Sequence, residues 1–225
     1  MTRIGVITMG QTPRDDGLTS EIAEILGKGF SVVETGVLDR LSPSQIETLA
    51  PAQGDYVLVT RLRNGSWVRL AKKAVLPLMQ ERIDEMNMGD AEAIVLLCTG
   101  AFPAFRSKKA LVVPQPILYH LVKGIAGPGT RRVGVMAPLP EQVEQARSKW
   151  GEIGVNVVVS HANPYGDVSA IGRAAAELVS QQAELLVMDC FGYSLAMKEA
   201  AKRSAGRPVV LARSVIARVV GELAA

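Results

Sequence analysis

The chain is poor in the residue types that carry the commonest chemistries. Its 225 residues include only two cysteines and two histidines. Cys98, Cys190, His120 and His161 show no metal-ligand spacing, so no metal site is expected. Two thiols in a chain this long do not make a disulfide framework, and their placement argues against a structural Cys98–Cys190 bridge. Aromatic residues are 4% of the chain. The core must therefore come from Val, Leu, Ile and Ala, the mix of buried parallel strands covered by helices. A net charge of +3 is too small to argue for nucleic acid. The basic pairs Lys72-Lys73, Lys108-Lys109 and Arg131-Arg132 are scattered and not interleaved with aromatics, as on a solvated surface. No apolar run approaches the roughly 20 residues of a membrane helix. The N-terminus lacks the charged-then-apolar layout of a signal peptide. The expectation is a cytoplasmic protein with neither nucleic acid nor membrane as partner.

What is present is alternation. Hydrophobic residues are 48% and charged residues 21% of the chain, ordinary for a globular protein. Short apolar runs alternate with helical patterns, which implies βαβ units and parallel sheets. The first run is Ile4–Met9, followed by Gly10-Gln11-Thr12-Pro13-Arg14. A helix is expected from about Asp15, with Leu18, Ile22 and Ile25 on one face. A second strand spans 31–38. Ser42-Pro43 reads as an N-cap and first turn. The runs 56–63 and 67–70 flank Asn64-Gly65, a strong hairpin signal, and predict an antiparallel arm projecting from the parallel architecture. A long helix follows over 72–87, then a strand ending at Cys98, then Leu111–Val113.

The plan then starts again. A helix is expected over 116–125, a break at Gly127-Pro128-Gly129 and a strand over 132–137. A helix over 140–150, a strand over 155–160 and a helix over 167–182 follow. The rest is a strand ending at Cys190, a helix over 194–204, a strand over 209–211 and a last helix from Ser214. The halves are similar in plan without a readable repeat. The expected division is a first α/β lobe of residues 1–115 plus 213–225 and a second of residues 116–212.

Each half carries one of the two cysteines at the same place. Cys98 follows the apolar run Ala93–Leu97 and precedes Thr99-Gly100. Cys190 follows Leu185–Asp189 and precedes Phe191-Gly192-Tyr193. Ligands of open α/β sheets bind outside the carboxyl ends of strands. Two lobes with a thiol at such an end can face those thiols across a cleft, which suits taking a proton from one face of a carbon and returning one to the other. The alternative is that each is a small buried hydrophobe.

Around the thiols, Gly10, Gln11, Thr12 and Arg14 are the best anion-binding candidates. A Gly turn lets backbone approach a ligand, Thr12 offers a hydroxyl, and Arg14 can grip a carboxylate with both arms of its fork. The alternative for Arg14 is an ion pair with Asp15 or Asp16. The phosphate-loop pattern is missing. Arg61 is a weaker candidate. Thr99 and Gly100 offer a hydroxyl and a turn where charge develops α to a carboxylate, or a hydroxyl satisfied by its own turn. Asp189 either raises the neighbouring thiol's pKa and serves as a base, or faces away and caps another segment. Phe191, Gly192 and Tyr193 form the turn after Cys190, and Tyr193 is a plausible substrate contact. Asn163, in Asn163-Pro164-Tyr165-Gly166, closes the site or starts a turn. His120 reads as core, and His161 as structural or exposed.

The segments Met9-Gly10-Gln11-Thr12-Pro13-Arg14-Asp15, Asn163-Pro164, Met188-Asp189-Cys190-Phe191-Gly192-Tyr193 and Ile216-Ala217-Arg218 together resemble the AroM protein family, nearly end to end. That resemblance implies an association with aromatic amino-acid biosynthesis genes and no particular chemistry. More distantly, the two-lobed plan resembles the Asp/Glu racemase superfamily of racemases, maleate isomerase and arylmalonate decarboxylase. This implies two doubly wound lobes with parallel sheets, an active-site cleft between them, and no cofactor or metal. Cys98-Thr99 and Cys190 match the two cysteines of that superfamily. Its Asp-Ser-Gly turn is replaced here by Met9-Gly10-Gln11-Thr12, and its Thr-His after the second Cys by Phe191-Gly192. The implied substrate is therefore a small carboxylate other than Glu or Asp. The expected chemistry is racemisation, isomerisation or decarboxylation. A non-catalytic carboxylate-binding or regulatory protein is the alternative, a redox-sensing dithiol is a third, and a homodimer is left open.

Overall fold

The computed structural model describes residues 1–127, 131–152 and 154–223. The expected break at Pro128-Gly129 lies outside them. The chain divides into two compact units, Met1–Pro114 with Ala217–Ala225, and Gln115–Ile216.

The first unit is built on four parallel strands: β1 (Thr2–Thr8), β2 (Phe30–Gly36), β5 (Ala93–Leu97) and β6 (Ala110–Val112), ordered β2-β1-β5-β6. β5 is buried at every position, and β1 from Ile4 onward. That is why both read as unbroken apolar runs rather than alternating ones. Helix α1 (Leu18–Leu26) connects β1 to β2 and buries Leu18, Ile22 and Leu26 at helical spacing. It starts three residues later than the periodicity predicts, after the left-handed Gly17. Ser42 caps α2 (Pro43–Glu47) through a reciprocal capping box with Gln45, with proline in the first turn as expected.

The antiparallel pair is β3 (Val57–Arg61) with β4 (Trp67–Ala71). One further bond, from Leu62 N–H to Ser66 O, reduces the loop to three residues with Gly65 at φ +85°. This is the longer hairpin class with glycine in the left-handed position. The pair does not project as expected. Leu58 and Leu70 are buried with Ile7, Met9, Val75 and Leu96 in the unit's core, and burying two leucines outweighs solvating a free arm by several kcal/mol (about 1.5–3 each). Helix α3 (Lys72–Met88) follows, with the exposed Pro77 on its outer side.

The second unit repeats the strand order. β7 (Arg132–Ala137), β8 (Asn156–His161), β9 (Leu185–Met188) and β10 (Val209–Leu211) are parallel and ordered β10-β9-β7-β8. Taken in the opposite direction, this is the order of the first sheet, with β7, β8, β9 and β10 in the places of β1, β2, β5 and β6. The unit's helices are α4 (Pro114–Ala126), α5 (Val143–Gly151), α6 (Ser169–Ser180), α7 (Leu195–Ala205) and the first turn of α8 (Ala212–Leu223). The expected helix over 140–150 begins as a 3-10 turn over Pro140–Gln142 before α5. His120, expected in the core, is on the exposed side of α4.

Besides the hairpin, which the second unit has no counterpart for among the described residues, the two plans differ after the cysteine strand. β9 and β10 are joined by a helix, α7, whereas residues 98–109 between β5 and β6 hold no helix.

Candidate active site

In each sheet the chain leaves the first strand toward one edge and returns on its other side. The point of reversal lies between β1 and β5 in the first unit, and between β7 and β9 in the second. Loops leaving the carboxyl ends of those strands flank the crevice where α/β sheets bind ligands. The register aligns Thr8 with Leu97, and Met136 with Met188. Cys98 is the residue after β5. Cys190 follows β9 by two residues, the ladder being prolonged by Asp189 N–H to Met136 O at 3.1 Å. Both thiols are half-buried, neither is in a disulfide, and each packs on its own unit's core.

The loop after β1 is tightly built. A Cβ on Gly10 would lie 2.0 Å from the Arg61 carbonyl oxygen, so only glycine lets the hairpin approach this closely. Gln11 is held between Leu38 O, to which it donates at 3.4 Å, and Arg63 N–H, from which it accepts at 3.3 Å. Asp39 is the hub. Its carboxylate accepts the Thr12 N–H and hydroxyl, each at 2.6 Å, the Gly36 N–H at 2.7 Å and the Arg63 guanidinium at 3.2 Å. The Thr12–Pro13 peptide is cis. Arg14, with its side chain 3% exposed, grips Asp16 with both arms of its fork and reaches Thr8 Oγ1 at 3.2 Å. The carboxylate clamp expected of Arg14 is thus closed on a carboxylate of the chain itself, two residues away. Arg61 likewise bonds Asp15, at 3.1 and 3.4 Å, and lowers that carboxyl's pKa.

The loop after β5 is fixed by the hairpin and the helix that follows it. Ala101 N–H donates to the Tyr56 hydroxyl at 3.1 Å, and Lys72 Nζ donates to Ala101 O at 2.9 Å while lying 4.4 Å from the Tyr56 ring. Thr99 is buried. A Cβ on Gly100 would meet the Phe102 ring at 2.7 Å.

The loop after β9 is anchored at alternate residues. Asp189 points inward, where its carboxylate accepts Lys149 Nζ at 2.6 Å and Trp150 Nε1 at 2.7 Å. An indole and an ammonium thus hold it inside the unit, the placement of the second of the two alternatives read from the sequence, in which it faces away from the site. The Phe191 side chain is buried, and its carbonyl accepts two bonds from the fully buried Arg213, at 3.1 and 2.7 Å. Tyr193 is fully buried, with its hydroxyl between Ala137 O at 2.9 Å and Ala162 O at 2.7 Å. Burial, reinforced by Cys190, Asp189 and Tyr165, pushes its pKa well above the usual value and keeps it a neutral donor. Tyr193 ties the ends of β7 and β8 together and is not the expected substrate contact. Between these anchors, Gly192 N–H points at Cys190 Sγ, 3.3 Å away. Side-chain space at Gly192 is filled by Pro164 and the Tyr165 hydroxyl, each 2.7 Å from where a Cβ would be. Asn163 places that segment by accepting Tyr165 N–H at 2.9 Å, the turn-starting role.

Asp39, Arg63, Tyr56, Lys72, Lys149, Trp150 and Arg213 were not legible as site residues. Lys149-Trp150 and Arg213 lie in helical segments with no motif. Arg218, in the motif singled out above, is exposed. Among the described residues no group of His, Cys, Asp and Glu is arranged to hold a metal ion.

The AroM protein family model matches residues 4–224. The chain belongs to the AroM family. Solved structures similar to this AroM member include a maleate isomerase from Pseudomonas putida S16, at 10% identity and TM-score 0.66 over 99% of this chain and 92% of that one. A variant of that isomerase is solved with maleate. An arylmalonate decarboxylase matches at 14% identity and TM-score 0.62, covering 99% and 91% of the two chains. An allantoin racemase from Pseudomonas fluorescens matches at 15% and 0.59, covering 99% and 90%. No curated protein matches by sequence. At these identities the likeness is one of fold. The AroM chain has the α/β fold of Asp/Glu racemase-like proteins, with two parallel sheets flanked by helices.

Proposed function

We propose that this AroM protein is a cofactor-independent enzyme acting α to the carboxylate of a small acid, as a racemase, isomerase or decarboxylase, with Cys98 and Cys190 as its catalytic thiols. One observation carries the reading: each thiol stands at the point of reversal of its own sheet, on a loop fixed by hydrogen bonds from neighbouring elements. In proton transfer one cysteine acts as thiolate base and the other as thiol acid, and both must reach one substrate. Thr99 and the turn glycines Gly100 and Gly192 are the groups placed beside the thiols to meet developing negative charge. The names of the structural neighbours, a racemase, an isomerase and a decarboxylase, support the reaction class.

The reading is tested by incubating the protein with small chiral acids and aryl-substituted malonates. Loss of optical rotation or release of CO2 is followed in parallel with Cys98→Ala and Cys190→Ala. Turnover that falls by roughly 10³-fold or more in a single variant supports it. Turnover that survives loss of both thiols rejects it.

A second reading, a binding or regulatory protein for small carboxylates linked to aromatic amino-acid metabolism, is favoured by the residues that stand where the racemase superfamily has its helper residues, Met9-Gly10-Gln11-Thr12 after β1 and Phe191-Gly192 after Cys190. It requires a ligand that stabilises without being changed, by about 2.7 kcal/mol at 100 times its dissociation constant.

A further inference from the structure

The two thiols stand in unlike surroundings, and the difference assigns them unlike protonation states. Cys190 receives a backbone N–H from Gly192 at 3.3 Å. Helix α7 begins five residues after it, its first turn capped by Ser194, whose hydroxyl accepts Met197 N–H at 3.2 Å. The helix's free amide end therefore opens toward the loop that holds the sulfur. The neighbouring carbonyl, Phe191 O, is bonded twice by the guanidinium of Arg213, a residue with no exposed surface. A buried arginine remains charged, so it brings a fixed positive charge to the loop of this thiol in surroundings that screen it poorly. The adjacent anion, Asp189, is matched by Lys149. The other titratable side chains on the elements around the loop include Tyr193, His161 at the end of β8, Tyr165 after it, and Lys198, Glu199, Lys202 and Arg203 on α7. Tyr193 is held neutral. Cys98 has no helix after it: residues 98–109 run as coil to β6.

We infer that Cys190 rests as the thiolate, with Arg213 as its buried counter-cation, and that Cys98 rests as the thiol. Resting on the reading proposed above, this orders the reaction. The Cys190 thiolate takes the α-proton and becomes a thiol, leaving the C–H electron pair on the substrate as an enediolate. The Cys98 thiol then gives its proton to carbon and is left as the thiolate. Arg213 acts through the loop and is a positioning residue.

The test is the pH dependence of iodoacetamide alkylation in two single-thiol proteins, Cys98→Ala and Cys190→Ala. Cys190 is expected to titrate at least one unit below Cys98, and below the ordinary thiol value of about 8.5. In the Cys98→Ala background, Arg213→Gln is expected to raise the alkylation midpoint by about one pH unit, which slows alkylation roughly tenfold at pH values below both midpoints. Arg213→Lys, which keeps the charge, is expected to retain most of the rate. A Cys190 midpoint at or above that of Cys98 overturns the inference, as does a folded Arg213→Gln protein with an unmoved midpoint. Where Arg213→Gln does not fold, the order of the two midpoints decides alone. Alkylation needs no turnover. A low Cys190 midpoint in a protein that transforms no acid would therefore uphold this assignment while rejecting the proton-transfer reading.

Discussion

Cys190 is held by what its neighbours do. Asp189, Phe191 and Tyr193 each send a polar group inward, to Lys149 and Trp150, to Arg213, and to Ala137 O and Ala162 O. The residues between them, Cys190 and Gly192, are left to face each other. The Lys149–Asp189 pair is buried, with side chains 8% and 3% exposed. Breaking such a pair from one side strands a charge and costs about 3–5 kcal/mol. Lys149→Met is expected to destabilise by that amount in urea unfolding, and Lys149→Met with Asp189→Leu to recover much of it. A single variant as stable as the parent would show that the pair holds nothing. Gly10 gives a second residue-scale prediction. A methyl group there would sit 2.0 Å from backbone rather than from a side chain that can swing away. Gly10→Ala is therefore expected to cost at least about 1–3 kcal/mol, and an unchanged unfolding midpoint would contradict that close approach.

Among the elements, α6 carries the clearest pH signature. At its N-terminus the Asp167 carboxylate accepts the Ser169 N–H at 2.9 Å, is bonded by the Ser169 hydroxyl, and pairs with Arg173 at 3.0 Å; the Ser169 bonds lead in lowering its pKa to about 2. A lowered carboxylate pKa gives stabilisation that is full above the unfolded value near 3.8 and fades as pH falls through 2. Carboxyl NMR is expected to show Asp167 titrating near 2, and a midpoint near 4 would contradict the cap. Elements of this kind were largely legible in the sequence. Buried parallel strands need continuous apolar runs, so β1, β5, β7 and β9 announced themselves, as did the Ser42 cap. Element starts were less legible: α1 and α6 begin later than their apolar periodicity predicts, because Gly17 and Asp167 organise the turns before them. The destination of the hairpin was not legible, since Asn64-Gly65 encodes a turn but not what Leu58 and Leu70 pack against.

At the scale of the whole molecule, two units share one strand order, and each carries a cysteine at the same place in it. That correspondence could be read from strand-Cys-Gly patterns alone, and it placed both thiols at their sheets' points of reversal. What decides how the loops bind was hidden, because it depends on pairings across tens of residues. Arg14 finds Asp16, but Thr12 finds Asp39, Cys98's loop finds Tyr56 and Lys72, and Phe191 finds Arg213. No spacing rule encodes those partners. The difference between the units, a helix after Cys190 and coil after Cys98, matters as much as their likeness, because the inferred difference in protonation state between the two thiols rests on it. The central claim, that this pair moves a proton at a carbon beside a carboxylate, is tested most directly by proton NMR in D2O with a panel of small chiral acids. The account predicts that one class of acid loses its α-proton signal to deuterium, and that Cys98→Ala and Cys190→Ala each abolish the loss. Exchange that persists in both variants, or no exchange across the panel while some acids still raise the melting temperature, would contradict it.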